Sequence, residues 1–105
     1  MTDCCMVFVT VPDQEQGRRI ADLLVSEKLC ACASLNPGCT SVFIWKECLE
    51  AASETLMIIK THSSKLENLE ARIRELHPYE VFEFLAVPVL YGNAAYLNWV
   101  KEAVI

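Results

Sequence analysis

The chain has 105 residues, of which 53% are hydrophobic, and a formal net charge of -5. That length holds one domain, 1–105. The acidic balance, with Arg18-Arg19 the only adjacent basic pair, excludes a nucleic-acid footprint, which needs clustered Lys and Arg. No apolar run approaches the ~18–20 residues of a membrane span, so no membrane partner is expected.

Met1-Thr2-Asp3-Cys4-Cys5 lacks the basic start of a signal peptide, and the expected compartment is the cytoplasm. The six cysteines are then read as reduced, buried thiols, because free Cys packs as a small hydrophobe. Cys4 to Val11 is apolar and rich in β-branched and aromatic residues, which predicts a central strand ended by Pro12. Asp13 with Gln16 forms a capping-box pattern opening a helix. Its buried face is Ile20, Leu23, Leu24 and the stem of Lys28, and Gly17 weakens it by ~1 kcal/mol relative to Ala.

From Leu29 the period becomes two, setting Cys30, Cys32 and Ser34 on one face and Ala31, Ala33 and Leu35 on the other. Asn36-Pro37-Gly38 reads as a turn or as a bulge in one long strand, since Cys39 to Trp45 resumes extended character. Lys46 to Glu54 is polar and suits a hairpin end, with Thr55 to Thr61 as the return strand. Ser63 or Ser64 opens a second helix, Ser64 with Glu67 making the cleaner capping box, with the stripe Leu66, Leu69, Ile73 and Leu76, stopped by Pro78. Glu83 to Leu90 is a fourth strand whose Pro88 requires an edge or a bulge. Asn93 caps a terminal helix with Tyr96, Leu97, Val100 and Val104 on one face.

The order β-α-β-β-α-β plus a helix predicts an α+β, ferredoxin-like split β-α-β sandwich with an antiparallel sheet. Both helices of that fold cover the same face, yet these strands are apolar on both. Phe43 and Trp45 oppose Val42 and Ile44; Met57 and Ile59 oppose Leu56 and Ile58; Phe82 and Phe84 oppose Val81 and Leu85. The chain has nothing left to cover the second face, so another subunit must.

Leu29-Cys30-Ala31-Cys32-Ala33, Asn36-Pro37-Gly38-Cys39-Thr40-Ser41, Trp45, Ile59-Lys60-Thr61, Glu75-Leu76-His77-Pro78-Tyr79-Glu80, Gly92-Asn93 and Tyr96-Leu97-Asn98-Trp99 together resemble the CutA (divalent-cation tolerance) family. The resemblance runs from about Val7 to the C-terminus. It implies a homotrimer of ferredoxin-like subunits whose sheets face a threefold axis, and a role in the response to metal ions. This sequence departs from the family pattern in three places. Lys46-Glu47-Cys48 follow Trp45 where the hairpin usually carries an acidic residue, Gly and Lys, so the Gly is lost and the Lys displaced. Phe82 stands in place of a Pro. Of the positions credited with copper in bacterial members, here Val9, Leu76 and His77, only His77 keeps a ligand.

His77, Cys30 and Cys32 are the metal-ligand candidates: an imidazole at a helix end, and two thiols on one strand face whose soft sulfurs suit Cu(I) or Zn. No resident cofactor is expected, and Cu2+ or another divalent cation is the candidate ligand, weakly bound. Lys60, Tyr79, Glu83 and Trp45 form a candidate ligand cleft at the subunit borders, with Glu83 the candidate ion partner of Lys60, within or between subunits. Cys48, at the hairpin tip, is the candidate exposed thiol. No Ser-x-x-Lys, His-Glu-x-x-His, phosphate loop or nucleophile elbow is present, and no enzymatic activity is expected. The leading reading is a metal-responsive homotrimer. The alternative is a PII-like signalling or adaptor trimer that binds a small anion or a protein partner at its clefts.

Overall fold

Residues 1–105 are described by a computed structural model. Its elements are β1 (Cys4–Val11), α1 (Gln14–Ser26), β2 (Cys32–Trp45), β3 (Cys48–His62), a 3-10 turn (Ser63–Lys65), α2 (Leu66–Leu76), β4 (Leu85–Pro88) and α3 (Ala94–Val104). The strands form one antiparallel sheet in the order β2-β3-β1-β4, the split β-α-β arrangement expected from the element order. β1 and β3, separated in sequence by α1 and β2, therefore occupy its centre.

One sheet face packs on α1 and α2. Val7, Val9, Val11, Met57 and Ile59 from the strands meet Ile20, Leu24, Leu69 and Ile73 from the helices, all fully buried. Truncating Leu24 or Ile73 to Ala would cost about 2–5 kcal/mol through lost burial and a cavity. Gly17 is where α1 comes closest to the sheet: a Cβ there would lie 3.2 Å from Val11 Cγ2 and 3.4 Å from Leu35 Cδ2. Its weak helix propensity is offset by that close approach. On the opposite face α3 covers only one end, burying Val100 and Val104 against Cys4 and Ala31.

Asp13 caps α1 as its sequence predicts, accepting the Gln16 N–H at 2.8 Å. Lys28 does not extend the buried face. It is exposed, and its positive φ of 61° marks the left-handed residue that ends the helix, with Lys28 N–H on Val25 O and Leu29 N–H on Leu24 O. Ser64 does not cap α2: the His62 ring accepts the Ser64 N–H at 3.2 Å, and a 3-10 turn precedes the helix. Histidine from the strand end competed successfully for that donor.

Asn36-Pro37-Gly38 is a bulge, not a turn. Asn36 pairs with Leu56 and Cys39 with Glu54, leaving one extra residue on β2, and Gly38 takes φ 80°. The polar hairpin end shrinks to two residues, Lys46 and Glu47, at φ 50° and 69°. Cys48 to Glu54 is strand, because long-range pairing with Cys39 to Trp45 outweighs the weak β-propensity of Glu, Ala and Ser. β4 is shorter than expected, and its Pro88 lies on the edge strand, where a missing N–H costs no ladder bond.

Candidate functional site

The open sheet face is laid out in rows, since cross-strand partners share a face. Cys32, Lys60, Met6 and Val87 form one row; Ser34, Ile58, Phe8 and Leu85 the next; Asn36, Leu56 and Thr10 a third. Beyond Thr10 the face continues into a groove of about 770 Å³ lined by 14 residues, among them Phe43, Trp45, Glu50, Glu54, Tyr79 and Glu83.

Tyr79 reaches this groove because Pro78 ends α2. His77 takes extended backbone angles before the proline, and its ring turns inward, 8% exposed. His77 Nδ1 accepts the Tyr79 N–H at 3.0 Å, so Nε2 carries the proton and donates to the Thr10 carbonyl at 2.8 Å. Phe82 stacks on the ring at 4.9 Å. Burial lowers the His77 pKa below 6.5, against the opposing pull of the Thr10 hydrogen bond and Glu54. His77 is thus a neutral fastener between the end of α2 and the end of β1.

The Tyr79 hydroxyl donates to Glu54 Oε2 at 3.0 Å. Burial and this carboxylate both raise the phenol's pKa. Glu54 is only 7% exposed and Glu83 lies close to it; burial and then the Glu54 charge raise the Glu83 pKa. The four ion pairs of the chain, Arg18–Asp22, Arg72–Glu27, Arg72–Glu75 and Arg74–Glu70, include neither glutamate. Trp45 opens the far end of the groove, 51% exposed on the protruding hairpin.

Three of the four predicted cleft residues, Trp45, Tyr79 and Glu83, therefore meet in one groove. Lys60 does not join them. It sits at the other end of the open face, donating to Ser34 Oγ at 2.6 Å and lying 3.9 Å from Cys32 Sγ. Glu54 was missed by sequence reasoning. Its signal was parity, since Glu54 shares a strand face with Leu56, Ile58 and Lys60, but the segment read as loop.

The metal candidates do not converge. Cys30 lies before β2 begins and turns into the α1–α2 core, where burial and then the Cys32 thiol push its pKa up to about 12. Cys32 is on the opposite face beside Lys60. His77 has both ring nitrogens engaged. No group of three or more His, Cys, Asp or Glu side chains is placed to hold a metal ion. The donor set does not fit a tight divalent-cation site within one chain.

Residues 5–103 match the family model described as CutA1 divalent ion tolerance protein. The chain is 42% identical over 98 residues to "Protein CutA 1, chloroplastic" of Oryza sativa, covering 93% of this chain and 55% of that protein. It is 40% identical over 97 residues to "Divalent-cation tolerance protein CutA" of Thermus thermophilus, covering 92% and 94% respectively. The crystal structure of CutA from Xylella fastidiosa superposes with a TM-score of 0.97 at 33% identity, covering 99% of this chain and 100% of that one. The chain spans about half the length of the plant and mammalian relatives it matches.

Proposed function

The chain belongs to the CutA1 divalent ion tolerance family, and from that membership we propose that it acts in the cytoplasmic response to divalent cations as a homotrimer, without enzymatic activity. The carrying observation is the uncovered open face. Met6, Phe8, Leu56, Ile58 and Val87 are only half-buried there, and Leu85 is 60% exposed. An apolar surface of this kind on a central sheet favours burial by a second protein surface, worth roughly 25 cal/mol per Å².

The groove opens onto that face, which supports a reading in which the functional clefts lie at the subunit borders. Metal enters this reading as a weakly and transiently held ion, because the side chains of one chain do not preassemble a coordination sphere. All six cysteines are unpaired, which suits a reducing cytoplasm, although relatives named as chloroplastic exist. Survival of a strain lacking its own family member, challenged with excess Cu2+ and complemented with this chain, tests the role. Failure to restore tolerance at equal expression would refute it.

A further inference from the structure

The open face carries two unsolved charges. Lys60 is a half-buried ammonium with only a hydroxyl and a thiol for partners, and no carboxylate of its own chain pairs with it. At the other end, the buried carboxylate of Glu54 and its neighbour Glu83 face a groove whose lining contains no Lys, Arg or His. A partly buried charge without a counter-charge is unfavourable, and two adjacent carboxylates add repulsion.

The charges cannot cancel within one chain. Lys60 and Glu54 point to the same side of β3 six positions apart, about 20 Å at ~3.4 Å per residue. Glu83 lies beyond the Phe8–Leu85 row, whereas Lys60 lies in the Met6–Val87 row on the other side of it. Between the two ends runs the apolar strip of Phe8, Leu56, Ile58 and Leu85. The face thus has a positive end, an apolar middle and a negative end, and a second copy of itself is its electrostatic complement.

We propose that the Lys60 ammonium of one copy enters the groove of the next and sits between Glu54 and Glu83, under the Tyr79 hydroxyl. Each groove is then completed by its neighbour's lysine. Because the donor and acceptor patches differ, the contact is head-to-tail, and it closes only as a ring. This inference rests on the trimer reading and assigns the residues that fix the subunit register.

The test is a charge swap followed by sedimentation velocity in a fixed, moderate urea concentration, with circular dichroism confirming the fold. Lys60→Glu and Glu83→Lys alone should each raise the half-dissociation concentration by about tenfold or more. The double variant Lys60→Glu/Glu83→Lys should return to within about threefold of the natural protein, because the swapped pair re-forms across every interface. If reversal unfolds the chain, Lys60→Met and Glu83→Gln replace it, and the double variant should lose no more than the worse single one. A trimer indifferent to the single changes, or a double variant that adds both losses, overturns the ion pair and leaves the trimer standing. A natural protein that sediments as a monomer overturns both.

Discussion

His77 and Thr10 are 67 residues apart in sequence, yet the imidazole Nε2 donates to the Thr10 carbonyl at 2.8 Å. With Nδ1 accepting from Tyr79, the neutral ring is the form that fits. Its folded-state pKa is lowered by burial, so the unfolded state binds the proton more readily. The stability this group contributes is full above its unfolded pKa of 6.5 and is lost as pH falls from there toward the folded value. Urea midpoints measured from pH 7.5 to 5 should fall for the natural chain more than for His77→Gln. At pH 7.5 His77→Gln should itself cost about 1–3 kcal/mol through unpaired buried groups. Parallel pH profiles for the two proteins would refute this role.

The hairpin tip is strained. Lys46 and Glu47 both adopt left-handed angles, the geometry of a type I′ turn that favours Asn-Gly. Lys46→Asn/Glu47→Gly should stabilise the chain by about 0.5–1.5 kcal/mol, since a non-glycine left-handed residue costs roughly 1–2 kcal/mol and glycine's unfolded freedom returns part of it. An unchanged or lower thermal midpoint would contradict that assignment.

Thiol reactivity should separate by burial. Cys48 is exposed, whereas Cys4, Cys5 and Cys30 are buried and the last has its pKa pushed up to about 12. Ellman's reagent at pH 8 should label Cys48 first and leave those three silent until denaturant is added. Loss of the fast phase in Cys48→Ser confirms the assignment; a fast phase that persists refutes it.

How much of this was legible in the sequence depended on the range of the interaction. The Asp13 and Asn93 caps are local and readable; each side chain accepts the N–H three residues on. The two-faced strands that predicted an open sheet were readable too, because parity is local. The strand from Cys48 to Glu54 was not, since its pairing partner fixes it and its own residues favour loop. Glu54 went unseen with it. Cys30 and Cys32 share a face only if alternation extends back past the start of β2, and β2 begins at Cys32.

The metal expectation follows from the same geometry. Titration calorimetry with Cu2+ should give an affinity of micromolar or weaker, about -8 kcal/mol or less favourable. His77→Ala should leave that affinity within about threefold, since both ring nitrogens are already committed to the backbone. Stoichiometric nanomolar binding would show that the assembly builds a coordination sphere absent from one chain.

The central claim is that this open sheet face is closed by copies of the same chain. Sedimentation equilibrium at low micromolar concentration in neutral buffer tests it most directly. The account predicts a single species of three chain masses, each chain being 11.8 kDa. A stable, folded species of one chain mass would contradict it.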